Sequence, residues 1–158
     1  YGYNHGEPVR EVDADGFLHT GDRGAIDEEG MIHISDRIKE LIKVKGIGVA
    51  PAELEDLLLG HPKVEDVAVM SVKDDYSGEL PKAYVVLKPG TEESTAIGKE
   101  IIEYVKEKKV RYKWVKEVEF ISEIPKSPSG KILRRILRDK EKSGKFGLVV
   151  KDEARARL

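Results

Sequence analysis

The sequence predicts an α+β domain in which a small sheet of about three main strands carries flanking helices. Amphipathic helical patterns and short β-branched runs follow one another between residues 51 and 138 in the order α, β, β, α, β, α. The composition agrees with this class, because a chain of 158 residues with 39% hydrophobic and 37% charged side chains can bury one core.

The first helix is expected from Pro51 to Gly60. Proline suits the first helical position, Glu53 places negative charge in the first turn, and Gly60 supplies a terminating residue. The leucines between them recur at helical spacing. Two strands should follow, at residues 64–72 and 83–87, because both runs are rich in valine, and residues 74–78 should connect them.

The second half repeats the alternation. Apolar residues at 97, 101, 102 and 105 predict an amphipathic helix, and Val118 and Phe120 mark a third strand. A stiff loop at 125–131 contains two prolines and precedes a predicted helix at 132–138 with one apolar and one basic face. After Lys140 the sequence is charged and weakly periodic, so we expect a mobile tail at 141–158.

The residues before the domain look different. Residues 1–34 are loop-rich, with Gly-containing turns before short apolar runs, and residues 46–48 (GIG) predict another turn. Because the chain opens at Tyr1 without an initiator Met or a capping signal, we interpret it as a cut through a longer protein.

Composition excludes several classes of function. The 28 basic and 30 acidic residues give a net charge of −2, which argues against a general nucleic-acid binder. The absence of Cys excludes disulfides, thiolate zinc sites and a Cys nucleophile. No stretch has the length and apolarity of a transmembrane segment, and no signal peptide is recognisable. The four histidines lie at no metal-ligand spacing.

Lys131 is the strongest candidate for chemistry. It ends a loop of small residues and prolines ahead of a helix, where an anion would meet both an ammonium and unpaired helical N–H groups. Seven Lys and Arg residues lie between 131 and 145, which could suit a phosphate-rich ligand. A solvated helix face and a plain surface loop are the alternatives, and spacing alone favours them. Asp22 could accept hydrogen bonds from two ribose hydroxyls, or simply belong to a turn.

Four segments in order resemble the C-terminal part of the adenylate-forming (acyl-activating) superfamily, which includes acyl- and aryl-CoA ligases such as 4-coumarate– and long-chain fatty acid–CoA ligases. They are residues 15–22 (DGFLHTGD), 36–46 (DRIKELIKVKG), 49–55 (VAPAELE) and 125–135 (PKSPSGKILRR). The resemblance covers about residues 1–140. It implies that residues 1–35 are the trailing edge of a large N-terminal adenylation domain and that residues 36–140 form the C-terminal lid domain.

The resemblance also implies a reaction. A carboxylate and ATP give acyl-AMP and pyrophosphate, and the CoA thiol then gives the thioester and AMP. By position, Lys131 looks like the adenylation lysine and Lys43 like the lysine of the second step. The remaining roles are ribose contacts by Asp22 and Arg37, a hinge at Asp36 and Lys39, and a wall of the pantetheine tunnel at Lys45 and Gly46.

Two further expectations depend on the resemblance. The phosphate loop, the acyl pocket and most ligands of an ATP-bound Mg²⁺ would belong to the N-terminal domain, so the isolated chain should be inactive and the acyl substrate is not readable here. Gly48 stands where plant coumarate ligases commonly have Gln. The final tripeptide, Ala156-Arg157-Leu158, fits the small–basic–Leu form of a peroxisomal signal; without that signal a cytoplasmic protein is expected.

Two other functions stay open from the sequence. The chain could belong to an adenylating enzyme that loads a carrier protein, although no carrier module follows residue 140. It could instead be a non-catalytic module that binds anions or a partner through residues 131–145.

Overall fold

The computed structural model describes residues 12–153 and the backbone of residues 2–4 and 7–9, without the side chains of Ser35 and Asp36. The chain separates into two compact units, Tyr1–Glu40 and Leu41–Leu158. The division falls five residues after the predicted boundary at 35. The tripeptide at 156–158, with its predicted targeting role, lies outside the described residues.

The first unit is built from two antiparallel strand pairs. Strands β1 (Gly2–Asn4) and β2 (Glu7–Val9) form one pair, and β3 (Asp22–Ile26) and β4 (Ile32–Arg37) form the other. A β-bulge interrupts the second pair, because Arg23 faces Asp36 whereas Gly24 faces Ile34. A short 3-10 helix, Ile38–Glu40, ends the unit.

The second unit is a mixed six-stranded sheet with three α-helices. Its elements in chain order are β5 (Ile42–Val44), β6 (Ile47–Val49), α1 (Pro51–Leu59), β7 (Val64–Asp74), β8 (Gly78–Leu87), α2 (Thr95–Lys108), β9 (Glu117–Phe120), α3 (Arg134–Ser143) and β10 (Val149–Lys151). A second 3-10 helix, Arg111–Lys113, lies between α2 and β9. The predicted α+β class and the order α, β, β, α, β, α are confirmed.

The long β7–β8 hairpin is the largest part of the sheet. One side of β8 pairs with β7. The other side pairs in parallel with β9 and touches β5 at Gly78, and β10 and β6 extend the sheet beyond β9 and β5. The three predicted strands are the longer ones, and β5, β6 and β10 are three-residue additions. Periodicity over three residues is too short to distinguish a strand from a loop.

Side chains alternate between the two faces of the sheet, and each face has its own core. One face, with Val67, Val69, Ala83 and Val85, packs against α1 and α2 through Leu54, Leu58, Ile101, Ile102 and Val105. The opposite face, with Ala68, Met70 and Tyr84, packs against Leu137 of α3 and Ile124. Helices therefore cover both faces, with α1 and α2 on the first and α3 on the second.

Residues 141–153 differ from the mobile tail that the sequence predicts. Helix α3 continues to Ser143, and β10 pairs antiparallel with β9, with Val150 buried in the first core. Helix α2 approaches this strand closely at Gly98, where a Cβ would lie 2.4 Å from Val150 Cγ2. A glycine is therefore required at position 98. Because it leaves space for Val150, the apolar run 146–150 packs against α2 as part of the folded unit.

Candidate functional site

The loop that carries Lys131 is a tight hairpin. Ser127 N–H donates to the Lys131 carbonyl at 2.8 Å, and Lys131 N–H donates back to Ser127 Oγ at 3.1 Å. Gly130 N–H donates to the Ser127 carbonyl at 2.8 Å, which closes a four-residue turn at the tip. The Lys131 side chain is exposed, and no acidic side chain of the described residues pairs with its ammonium.

The helix after this loop begins two residues later than predicted. Ile132 forms an isolated antiparallel bridge with Lys126, and Leu133 N–H donates to the Pro125 carbonyl at 2.8 Å, so both residues belong to the loop. Helix α3 starts at Arg134. Lys131 consequently lies three residues ahead of the helix rather than in its first turn.

Ion pairs attach both ends of the hairpin to strand β7. Lys126 Nζ lies 2.6 Å from Asp66 Oδ2 at the start of the strand. Arg134 lies 2.6 Å from Glu55 Oε1, and Glu55 Oε1 also accepts the Val69 N–H at 2.8 Å. Sequence reasoning missed these four residues as a group. Three of them stand inside the quoted motifs, but only the fold shows that they meet.

Lys43 lies in the middle of β5, with its side chain exposed between the buried Ile42 and Val44. Its N–H donates to Glu79 Oε2 at 2.7 Å, which fixes its backbone beside the start of β8. The turn that follows is made by Lys45 and Gly46, with φ of 51° and 81°. Two positive φ values are typical of a type I′ hairpin turn.

The predicted turn at residues 46–48 is therefore shifted by one residue, because Gly48 belongs to β6. Lys45 is the non-glycine residue with positive φ among the described residues, and its N–H donates to the Ser77 carbonyl at 2.8 Å. Its ammonium lies 4.2 Å from the centre of the exposed Tyr76 ring. Lys45 and Gly46 thus lie next to the β7–β8 turn.

The two predicted catalytic lysines lie at opposite ends of the β7–β8 hairpin. The Lys131 loop is attached at Asp66, which pairs with Val86, whereas Lys43 is attached at Glu79, which pairs with Lys73. Seven residues of β7 separate the two attachment points, which at about 3.3 Å per residue is roughly 23 Å. A single bound ligand atom cannot contact both ammonium groups.

Asp22 and Arg37 are brought together in the first unit. They face one another across β3 and β4, and Arg37 Nε lies 3.6 Å from Asp22 Oδ1. Asp22 N–H donates to Thr20 Oγ1 at 3.2 Å. The predicted hinge residue Lys39 lies in the 3-10 helix at the boundary between the units, and Asp36 occupies the bulged end of β4, where only its backbone is described.

Part of the basic stretch 131–145 is occupied by internal pairing. Lys140 pairs with Glu119, which is fully buried, and Glu141 lies 2.6 Å from the buried Lys82. Lys82 also lies 2.9 Å from Glu119 Oε2. Burial opposes ionisation of Glu119, but hydrogen bonds from Lys140 and Lys82 outweigh it and lower the pKa of this carboxyl. These pairings leave fewer charges for an anion-binding surface.

Tyr84 completes this buried charge network, and its hydroxyl donates to Glu141 Oε2 at 2.5 Å. Burial is the main cause that raises the pKa of Tyr84, and the hydrogen bond to the Glu141 carboxylate raises it further.

Two histidines take part in turns of the first unit. His19 contacts Asp13 at 2.9 Å and His33 contacts Asp27 at 2.6 Å, and each pair stabilises a turn. The side chains that the structure describes include no group of three suited to a metal ion. Among the described helices, none has both the length and the apolarity needed to cross a bilayer.

Comparison with known proteins gives a consistent answer. Residues 53–131 match the family described as AMP-binding enzyme C-terminal domain. The chain is 52% identical over 140 residues to 4-coumarate–CoA ligase-like 1 of Arabidopsis thaliana, covering 89% of this chain and 25% of that protein. It is 53% identical over 138 residues to 4-coumarate–CoA ligase 1 of Glycine max, covering 87% of this chain and 46% of the relative.

The fold of this chain also matches that of a solved structure. The ATP-bound RpMatB-BxBclM chimera B1 superposes with a TM-score of 0.79 at 35% identity, covering 85% of this chain and 26% of that one. The chain thus spans from about a quarter to just under half of the proteins that it matches. The matched segment runs from within α1 to Lys131 and includes the whole β7–β8 hairpin. This chain belongs to the AMP-binding enzyme C-terminal domain family.

Proposed function

We propose that this chain is the C-terminal part of an ATP-dependent acyl- or aryl-CoA ligase. The complete enzyme would convert a carboxylate, ATP and CoA into an acyl-CoA, AMP and pyrophosphate through an acyl-AMP intermediate. One structural observation carries the proposal. The unit has two exposed lysines, Lys131 and Lys43, at opposite ends of one hairpin, as two separate half-reactions require.

Lys131 would act in the first half-reaction. When the carboxylate attacks the α-phosphorus, negative charge accumulates on the oxygens around it, and an ammonium held where water is excluded stabilises that charge. The Lys131 ammonium is exposed at the tip of a hydrogen-bonded hairpin and can enter a neighbouring active site. The large N-terminal domain is the proposed partner that supplies this site, and residues 1–35 would be its trailing edge.

Lys43 and the Lys45–Gly46 turn would act in the second half-reaction, at the other end of the hairpin. Gly46 has no Cβ and would allow the pantetheine arm of CoA to pass close to the backbone. Since one rigid unit cannot present both ends to the same site, it must rotate between steps. We assign the rotation to the segment from Asp36 to Lys39, where the two units meet in the chain.

Asp22 and Arg37 would hold the adenylate's ribose. Their side chains face each other across β3 and β4, so a pair of vicinal hydroxyls bound there would contact one carboxylate and one guanidinium side by side. Mg²⁺ would enter with the ATP phosphates, and most of its ligands would come from the N-terminal domain.

Separate assays of the two half-reactions in the complete protein test the proposal. Lys131→Ala should slow acyl-AMP formation by about 2.7–4 kcal/mol in activation free energy, as for loss of one preorganised charge-stabilising donor. Lys43→Ala should retain acyl-AMP formation and slow thioester formation from added acyl-AMP. Lys145→Ala, an exposed lysine outside both sites, is the control. Acyl-AMP formation at the wild-type rate in Lys131→Ala would refute the assignment.

The substrate and the acceptor are determined in the same experiment. A panel of hydroxycinnamates and fatty acids identifies the carboxylate, since the selecting pocket belongs to the N-terminal domain. Free CoA compared with a phosphopantetheinylated carrier protein identifies the acceptor, and we expect CoA because the curated relatives are named as CoA ligases.

The proposal includes a peroxisomal location, carried by Ala156-Arg157-Leu158 as a small–basic–Leu signal. A fluorescent protein ending in the last twelve residues should enter peroxisomes, and the same fusion with Leu158→Asp should stay outside. A diffuse signal from both fusions would reject this part.

A further inference from the structure

We propose that two ion pairs, Arg134–Glu55 and Lys126–Asp66, hold the Lys131 loop against strand β7 and thereby position Lys131 for acyl-AMP formation. This inference rests on the proposed role of Lys131. None of the four residues is assigned to contact substrate, so all four are positioning residues.

Strand β7 is an edge of the described sheet, since β8 is its one paired neighbour there. Helix α1 covers one face beside β7, and α3 covers the other. Glu55 belongs to α1 and Arg134 begins α3, so their 2.6 Å contact passes around the outer edge of the strand. It links the helix before the hairpin to the residue that follows the Lys131 loop.

The same two side chains contact the backbone of that edge. Glu55 accepts the Val69 N–H at 2.8 Å, and Arg134 Nε donates to the Val69 carbonyl at 3.4 Å. Both side chains are largely buried, with 11% exposed for Glu55 and 12% for Arg134. A buried ion pair that also forms hydrogen bonds to a strand has little freedom to change its position. Arg134 therefore fixes the start of α3 relative to β7.

Lys126 fixes the other end of the loop. Its ammonium lies 2.6 Å from Asp66 Oδ2, and Asp66 Oδ1 accepts the Val67 N–H at 2.9 Å. The isolated antiparallel bridge between Lys126 and Ile132 then joins this anchor to the residue that follows Lys131. Lys131 stands between two points attached to the same strand, three residues apart along its edge, at Asp66 and Val69.

This attachment matters for catalysis because a charge must stand close to where negative charge develops. Displacement by about 1 Å can cost on the order of 100-fold in rate. A lysine on an unattached loop would lose that precision. In the attached hairpin the backbone of Lys131 is held in place, and the motion that remains is that of its side chain. The two anchors should therefore affect the step that uses Lys131 and spare the step at the Lys43 end, roughly 23 Å away along the hairpin.

Two variants of the complete protein test this, one at each anchor. Arg134→Met removes the buried cation, and Asp66→Asn removes the half-exposed anion while it keeps an acceptor for Val67 N–H. We expect each to slow acyl-AMP formation by about 10- to 100-fold. Thioester formation from added acyl-AMP should stay within about twofold of wild type. Arg135→Met, the exposed neighbour in the same motif, is the matched control.

Combination with Lys131→Ala separates positioning from stability. If the anchors act through Lys131, Asp66→Asn should cause no further loss of acyl-AMP formation in a Lys131→Ala background. If Arg134→Met fails to fold, Asp66→Asn and Lys126→Met still decide, because both positions are half-exposed.

Three results would overturn the inference. The first is an equal decrease of both half-reactions, which is the mark of a general structural role. The second is unchanged acyl-AMP formation in Asp66→Asn and Arg134→Met while Lys131→Ala is inactive, which leaves the proposed function standing. The third is an active Lys131→Ala, which removes the assigned role of Lys131 and this inference together.

Discussion

Lys43 lies directly opposite Gly48 in the β5–β6 hairpin. Opposed residues in an antiparallel pair project to the same face, so the missing side chain at Gly48 leaves space beside the Lys43 stem. Leu41 borders this space, and a Cβ at position 48 would lie 3.3 Å from Leu41 Cδ1. Gly48 therefore adjoins the lysine assigned to the second half-reaction.

Gly48→Ala should stabilise the chain. Glycine inside a strand costs about 0.5–1 kcal/mol relative to alanine because its unfolded backbone has more freedom. The one close neighbour is the end of a half-buried leucine side chain, which can move by a few tenths of an ångström. Urea unfolding should show a gain of about 0.5–1 kcal/mol. A loss of stability would mean that Leu41 is fixed in place.

The fold was largely predictable from the sequence where elements are long. The nine-residue α1 and fourteen-residue α2 carry enough turns for helical periodicity, and the valines of β7 and β8 mark two strands. The short strand β10 was not predictable, because its three residues are determined by the groove at Gly98 and by pairing with β9. The first turn of α3 was misplaced for a similar reason, since Ile132 bonds across the loop.

The candidate site was predictable one motif at a time, and only as a resemblance. Lys131, Lys43 and Asp22 were identified from their motifs, but no spacing shows that the two lysines lie at opposite ends of a hairpin. Residues that act in pairs across long separations, such as Glu55 and Arg134, give no local signal. Their proximity is a property of the sheet, and it requires the fold.

Gly98→Ala should destabilise the chain, in contrast to Gly48→Ala. Its Cβ would lie 2.4 Å from Val150 Cγ2 and 2.6 Å from Val150 Cβ, so β10 or α2 has to move. Overpacking of this kind costs about 1–3 kcal/mol. Adding Val150→Ala should recover part of the loss, measured as a coupling energy in a double-mutant cycle by urea unfolding. Additive effects would show that β10 is not packed on α2.

Stability should decrease as the pH falls below about 6.5, because of His61. This ring is 2% exposed, and burial, opposed in part by Glu100, lowers its pKa below the usual value. The unfolded chain then binds a proton that the folded chain excludes, so the His61 contribution is complete above the unfolded pKa and is lost below it. The slope is at most about 1.4 kcal/mol per pH unit.

The matched variant for this effect is His61→Asn. His61 Nδ1 accepts the Lys63 N–H at 3.2 Å, and the Asn carbonyl can replace that acceptor without titrating. Urea unfolding between pH 5 and 7 should then show a flatter dependence than in the wild type. An unchanged slope would assign the effect to other groups.

Lys82→Met should be strongly destabilising, since Lys82 is a buried cation paired with Glu117, Glu119 and Glu141 beneath α3. Lys82 is 1% exposed and Glu119 is fully buried, and the ammonium lies 2.9 Å from Glu119 and 2.6 Å from Glu141. Removing one partner of a buried ion pair costs about 3–5 kcal/mol, and because Lys140 still pairs with Glu119 we expect a cost at the lower end of that range. Lys145→Met, at an exposed position outside this network, should change stability by less than about 0.5 kcal/mol.

Urea unfolding of both variants, together with the double variant Lys82→Met/Glu119→Gln, measures the effect. The double variant should recover part of the loss, because a neutral amide no longer requires a cation. A Lys82→Met cost as small as that of Lys145→Met would mean that Leu137 and its apolar neighbours alone hold α3 on the sheet.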